Sequence, residues 1–149
     1  MALKHQNYDF PFCFVLLSLL FHYHLINPLM NQPLTDITIV IPVYNEELSI
    51  KGFYERIRNA LNGIVPSYQI IFVNDGSCDG SIREIKAIAA SDPKVKFICL
   101  SRNFGHQVAI SAGLKHAKGE VVVIMDVDLQ DPPELIPAMY EKYKEGYKV

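Results

Sequence analysis

The sequence predicts an α/β fold, a mostly parallel sheet flanked by helices. Three observations predict it. Apolar, β-branched runs of six or seven residues recur along the chain, and each is followed by a segment with helical apolar spacing. The runs are apolar almost throughout rather than alternating, which fits strands covered on both faces. The segments between them are long enough to carry a helix from one parallel strand to the next by a right-handed crossover.

The elements follow in order. Residues 37–43 (ITIVIPV) read as the first strand. Ile50, Phe53, Tyr54, Ile57 and Leu61 then recur at i, i+3, i+4, i+7 and i+11. That is one face of a helix, closed by Asn62-Gly63. Residues 68–73 (YQIIFV) form the second strand. Ile82, Ile85, Ile88 and Ala89 mark a second helix that must end before Pro93. Residues 95–100 (VKFICL) give the third strand, and 108–117 the third helix, with Gly119 placed to cap its C-terminus. Residues 120–125 (EVVVIM) give the fourth strand. The last helix is expected to start with Asp131 as N-cap, Pro132 in the first helical position and Glu134 three residues after the cap. Gly146 stops it, and Tyr147-Lys148-Val149 opens another strand.

A chain of 149 residues suits one domain, and a hydrophobic content of 50% supplies an ample core. The formal net charge is −2, so no basic surface argues for nucleic acid. Cys13, Cys78 and Cys99 are scattered and odd in number. They suggest neither a metal-ligand spacing nor a disulfide framework, and fit a reducing, cytoplasmic setting. Residues 10–26 are apolar but interrupted by Pro11, Ser18, His22 and His24. That is short for a membrane span of about 20 residues. A weak anchor, a signal segment and upstream sequence outside the fold are the competing readings. Residues 1–35 are expected to be an apolar extension, and 36–149 the folded domain.

Parallel sheets bind ligands at the carboxyl ends of their strands, so the residues just after each strand carry the functional argument. They are Pro42-Val43-Tyr44-Asn45-Glu46, Asn74-Asp75-Gly76-Ser77, Ser101-Arg102-Asn103-Phe104-Gly105-His106 and Asp126-Val127-Asp128-Leu129-Gln130-Asp131. Polar or ionisable groups at four strand ends together argue for a site. Asp126 and Asp128 are two carboxylates one residue apart, which repel unless a divalent cation lies between them and a ligand. Mg²⁺ or Mn²⁺ takes one or two carboxylates together with substrate phosphates. A strand end followed by a turn is the plainer reading of the pair. Asp75 can accept a base imide N–H, or make an Asx turn or helix cap. Tyr44 can stack on a base, and Glu46 can hold ribose or base or simply favour a helix dipole. Arg102 is a candidate phosphate ligand, with His106 beside it at a helix start.

Taken together, Pro42-Val43-Tyr44-Asn45-Glu46, Val73-Asn74-Asp75-Gly76-Ser77-x-Asp79-Gly80 and Asp126-Val127-Asp128-Leu129-Gln130 resemble the family-2 glycosyltransferases, whose fold is the Rossmann-like GT-A fold. Ser101-Arg102-Asn103-Phe104-Gly105 and the run from Asp128 to Glu134 resemble the polyprenyl-phosphate branch, which includes dolichyl-phosphate mannosyltransferase and the bactoprenol glucosyltransferases. The resemblance covers residues 37–149. It implies that Pro42, Tyr44, Glu46, Val73, Asp75, Asp126, Val127 and Asp128 bind the nucleotide-sugar. It implies that Asp126 and Asp128 are catalytic and hold the metal with Gln130. Asn74 departs from the aspartate often found at its position.

The implied enzyme is an inverting, metal-dependent hexosyltransferase. It moves a sugar from a nucleotide-sugar, UDP-linked by the closeness of the Leu129-Gln130-Asp131-Pro132-Pro133 run, to a polyprenyl phosphate. The implied partners are that donor and a polyprenyl-phosphate acceptor at a membrane, with homo-oligomerisation left open and no nucleic acid. The implied location is the cytoplasmic face of a membrane, peripheral for this chain, with the N-terminal apolar stretch as a candidate anchor. The resemblance lacks an acceptor-side half, so the chain is expected to be C-terminally truncated and poor at transfer alone. A non-catalytic nucleotide-sugar-binding remnant is the alternative. A phosphatase of the haloacid dehalogenase type also uses an Asp-x-Asp pair, but on its first strand, whereas this one follows the fourth.

Overall fold

The computed structural model describes residues 35–128 and 132–147. Four strands, β1 (Thr35–Val43), β2 (Tyr68–Asn74), β3 (Val95–Cys99) and β4 (Gly119–Ile124), form one sheet in the order β3-β2-β1-β4. Every pairing is parallel. The helices are α1 (Ile50–Leu61), α2 (Ser81–Ser91), α3 (His106–His116) and α4 (Ile136–Lys144). The fold class expected from the sequence is the one observed.

Strand side chains alternate between faces, and β1 divides its residues accordingly. Ile37, Ile39, Ile41 and Val43 share one core with Phe53, Ile57 and Leu61 of α1, Ile85 and Ile88 of α2, and Ile136 and Tyr140 of α4. Val40 faces the other way, into a smaller core with Ile71, Val73 and Ala109 of α3. Three helices therefore cover one face and one covers the other. The periodicity on α1 lands as read: Ile50, Phe53, Tyr54, Ile57 and Leu61 are all buried. Burying side chains of this size stabilises the fold by about 1.5–3 kcal/mol each.

Continuous burial holds for β1 and β2 but not for the edge strands. Phe97 of β3 and Val122 and Ile124 of β4 remain exposed. Val122 and Ile124 lie on the α3 side of the sheet, beyond the smaller core, whereas Phe97 shares the other face with Val95 and lies at the margin of the larger core.

Two expected element ends are corrected. Gly119 does not cap α3. Ala117 occupies that position and Gly119 opens β4, where a Cβ would collide with the backbone of Ile37 and Thr38. Its N–H donates to Thr38 Oγ1 at 2.8 Å, which accounts for a fully buried threonine in an apolar strand. The last helix does not begin at Pro132, which is extended (φ −73°, ψ 120°). A 3₁₀ turn over Pro133–Leu135 intervenes, and α4 starts at Ile136 with Pro137 in its first turn. Either proline fits a helix start, and the core position of Ile136 favours the later one. Asp131, the expected cap, lies outside the described residues. At the far end Gly146 N–H donates to the Tyr143 carbonyl and Tyr147 N–H to that of Lys142, closing α4 as expected. Lys148 and Val149 of the expected final strand lie outside the described residues.

Opposite the ligand end of the sheet, Asp36 ties three elements together. Its carboxylate accepts the Ser67 hydroxyl and N–H, and the Tyr140 hydroxyl at 3.1 Å. The Ser67 hydroxyl holds the Asp36 carboxyl below its ordinary range against the opposing effect of burial, and Tyr140 adds to this. Burial, together with the Asp36 carboxylate, pushes the Tyr140 phenol up to about 12.

The expected membrane location is corrected. Among the described residues no helix is long and apolar enough to cross a membrane. The longest, α1, has 12 residues and one buried face, so at about 1.5 Å per residue it falls well short of a bilayer core of about 30 Å. The apolar stretch read as an anchor lies outside the described residues, and nothing supports its anchoring role.

Candidate functional site

The register brings the strand ends level. Val43 pairs with Asn74, and Asn74 with Cys99, so the loops after β1, β2 and β3 leave the sheet side by side. On the other side Val40 pairs with Ile124, and Met125 N–H still donates to the Val40 carbonyl at 3.1 Å. The chain after β4 therefore departs just before Asp126. A cleft of about 270 Å³ opens along this edge, lined by Pro42, Val43, Tyr44, Glu46, Asp75, Asn103, His106, Ala109, Asp126, Val127 and Asp128.

Asp75 is the buried acid of the cleft, 3% exposed. Its two oxygens accept the backbone N–H groups of Phe104 and Gly105 at 2.8 and 2.9 Å, which pins the loop after β3 against the end of β2. The plainer readings of Asp75 fall to its neighbours. Asn74 makes the Asx-type turn, accepting Ser77 N–H at 3.2 Å, and Gly80 stands at the cap of α2. Gly76 has φ 67°, and a Cβ there would overlap the backbone of Arg102 and Asn103. The second loop can lie against the third only with glycine at this point.

The loop after β1 is bound to the loop after β2. Asn45, with φ 57°, carries Tyr44 and Glu46 on either side of it. The Glu46 carboxylate accepts the Ser49 hydroxyl at 3.0 Å. Asp79 faces burial, which raises its pKa, yet hydrogen bonds from Ser81 and from the Glu47 N–H outweigh this and hold its carboxyl below the usual range.

Asp126 and Asp128 both line the cleft, separated by buried Val127. His106, the first residue of α3, places Nε2 3.8 Å from Asp126 Oδ1, and both side chains are about half exposed. Just downstream, Arg56 of α1 grips Glu134 through two hydrogen bonds of 2.9 and 2.8 Å, holding the segment that follows the acidic pair.

The residues fit a hard divalent cation. Two carboxylates at the mouth of a cleft, with room for waters and a phosphate, are the donor set that Mg²⁺ and Mn²⁺ use. Among the described residues no group of three or more His, Cys, Asp or Glu could hold a metal by itself. A cation held by this pair would take its other ligands from solvent, substrate or residues outside the described ones, where Gln130 lies.

Of the residues singled out in the sequence, Pro42, Tyr44, Glu46, Asp75, Asp126, Val127 and Asp128 meet in the cleft. Val73 does not line it; its side chain is fully buried beside Val40 and Ala109. Arg102 also stands outside the lining, its guanidinium 3.9 Å from the Phe104 ring centre and bonded to the Asn103 carbonyl. Asn103 and Ala109 line the cleft and were not singled out. Asn103 sat inside a polar run already assigned to the site. Ala109 carries no chemical signal, and only the packing of α3 on the sheet places it there.

Comparison with known proteins agrees with this architecture. Residues 38–149 match the profile of glycosyl transferase family 2. The chain is 53% identical over 112 residues to an uncharacterized glycosyltransferase, YkcC, of Bacillus subtilis, covering 75% of this chain and 35% of that protein. It is 46% identical over 110 residues to the bactoprenol glucosyl transferase of Shigella phage SfV, covering 74% and 36%. Among solved structures, the mannosyltransferase PcManGT of Pyrobaculum calidifontis, in complex with GDP-Man and Mn²⁺, aligns with a TM-score of 0.57 at 23% identity. That alignment covers 76% of this chain and 40% of PcManGT, and supports a GT-A fold. The chain spans about a third of the length of the curated relatives it matches. With the match covering residues 38–149, well over half of its length, the chain belongs to glycosyl transferase family 2.

Proposed function

We propose that residues 36–149 are the donor-binding part of a glycosyltransferase that moves a sugar from a nucleotide-sugar, probed first as a UDP-sugar, to a polyprenyl phosphate with inversion. The observation that carries this reading is the meeting of Tyr44, Glu46, Asp75, Asp126 and Asp128 in one cleft at the carboxyl ends of parallel strands. The bactoprenol glucosyl transferase relative supports the acceptor class.

The assignment of roles follows from chemistry. Tyr44, half exposed at the cleft, offers a ring for a base to stack on. Asp75 has both oxygens engaged by backbone N–H groups, but an ionised carboxylate has about four lone-pair sites. It can accept a base imide N–H without releasing the loop. Glu46 offers a carboxylate for ribose hydroxyls. Asp126 and Asp128 would hold Mg²⁺ or Mn²⁺, which when bound neutralises a diphosphate leaving group. The acceptor needs little activation. A phosphate monoester has a second pKa of about 6, so its oxygen is already anionic at neutral pH. The work left to the protein is positioning and charge stabilisation, which this cleft, rich in acids and hydrogen-bonding groups, is suited to supply.

Calorimetric titration of the 149-residue chain with UDP-glucose, GDP-mannose and dTDP-glucose tests the reading, each with Mn²⁺ and with EDTA. Saturable, Mn²⁺-dependent binding of at least one donor is expected. No binding of any donor by a folded chain would end it.

A further inference from the structure

Residues 44–47 alternate in use. Tyr44 and Glu46 line the cleft, whereas Asn45 and Glu47 turn to the segment between β2 and α2. Asn45 N–H donates to Ser77 Oγ at 3.0 Å, and Asn45 Oδ1 accepts the Cys78 N–H at 2.9 Å. Glu46 N–H donates to the hydroxyl of fully buried Ser81 at 2.8 Å. Glu47 N–H donates to Asp79 Oδ2 at 3.1 Å, and Glu47 Oε2 accepts the Gly80 N–H at 2.9 Å. The other Glu47 oxygen pairs with Arg83. Asp79 Oδ1 accepts the Ser81 N–H at 2.9 Å, so the acceptor for Glu47 is itself held. A Cβ on Gly80 would overlap the Glu47 carboxylate, so a larger residue there would displace that side chain from the Gly80 N–H.

These bonds join segments more than thirty positions apart and none of the four side chains of Asn45, Glu47, Asp79 and Ser81 lines the cleft. At the middle of the turn Asn45 adopts φ 57°, a left-handed conformation that few residues other than glycine accept. That kink is what allows residues on both sides of it to face the same cleft. The backbone cannot relax out of it while the Asn45 amide bonds Cys78 and its N–H bonds Ser77.

We infer that Asn45, Glu47, Asp79 and Ser81 are positioning residues: they hold the 44–47 turn so that Tyr44 and Glu46 face the cleft before a nucleotide arrives. The inference rests on the proposed donor site. Its physical basis is preorganisation, because ordering two rotamer-rich side chains and their turn on binding would weaken affinity.

The test uses the 149-residue chain, with UDP-glucose and Mn²⁺ as the first probe and GDP-mannose and dTDP-glucose as the others. Binding is measured well below the melting temperature, so that the folded fraction does not change between variants. Asn45→Ala loses both the acceptor for Cys78 and tolerance of the left-handed turn, and should weaken binding about tenfold. Asn45→Asp keeps both and should stay within about twofold. Amide exchange at residues 46 and 47 of the unliganded chain should quicken in Asn45→Ala but not in Asn45→Asp. Should Asn45→Ala not fold, Ser81→Ala, which removes the acceptor for Glu46 and the hydroxyl bonded to Asp79, should weaken binding at least threefold. Unchanged affinity in a folded Asn45→Ala with a lowered melting temperature would overturn the inference, as would equal losses in Asn45→Ala and Asn45→Asp. Absence of binding by the unaltered chain would instead remove the donor-site reading itself, and the inference with it.

Discussion

The carboxylate of Asp75 accepts the backbone N–H of Gly105 at 2.9 Å, across 30 positions of sequence, while its second oxygen accepts that of Phe104. A buried acid thus does structural service at the place where a ligand is expected. Asp75→Asn should separate the two functions. One of its terminal atoms becomes an NH₂ group facing an N–H donor. Hydrogen bonds to charged groups contribute about 1.5–3 kcal/mol, so we expect stability to fall by about that much. Urea unfolding should show a lower midpoint at unchanged slope.

Asp126→Asn and Asp128→Asn should each weaken Mn²⁺-dependent nucleotide-sugar binding by at least about tenfold, since an amide lacks the negative charge a carboxylate offers a divalent cation. Titration with and without EDTA reads this directly. Asp126 is half exposed and its contact with His106 is long, 3.8 Å, so its substitution should shift the melting temperature little.

Asp36, held chiefly by the Ser67 hydroxyl, and Tyr140, raised chiefly by burial, predict stability changes at opposite ends of the pH scale. The Asp36 pKa is lowered in the folded chain, so its contribution is present above the unfolded value of about 3.9 and fades as pH falls through the folded one. The Tyr140 pKa is raised to about 12, so its contribution is complete below about 10 and is lost as pH rises from there toward about 12. Chemical denaturation across pH should show a smaller acid loss in Asp36→Asn than in the unaltered chain. Tyr140→Phe should show a smaller alkaline loss.

Gly76→Ala combines a positive φ with a Cβ that meets the backbone of Arg102 and Asn103. Strain of this kind costs on the order of 1–3 kcal/mol. A lowered denaturation midpoint is expected, together with weaker donor binding as the loop after β3 is pushed away from the cleft. A midpoint equal to that of the unaltered chain would mean that the loops are not packed as described.

Much of the fold was legible because its signals are local. Residues 37–43 are apolar but for Thr38 since β1 lies in the middle of the sheet and is covered on both faces. The helical spacing from Ile50 to Leu61 was legible because only one face of α1 is buried. The start of α4 was not, since Pro132 and Pro137 satisfy the same local rule and the burial of Ile136 chooses between them. Gly119 was misassigned for a related reason. Glycine after a helix reads as a cap, and the crowding by Ile37 and Thr38 that demands it comes from a strand far away in sequence.

The candidate site divides along the same line. Which side chains lie at the carboxyl ends of strands follows from the order of elements, so Tyr44, Glu46, Asp75, Asp126 and Asp128 could be named from the sequence alone. What Asp75 bonds to, that Arg102 leans on Phe104 rather than toward the cleft, and that Asn45 and Glu47 fasten one loop to another were decided only in three dimensions. Side-chain periodicity reports which face of an element is buried. Hydrogen bonds between loops depend on strand order and register, and those are settled when the whole sheet assembles.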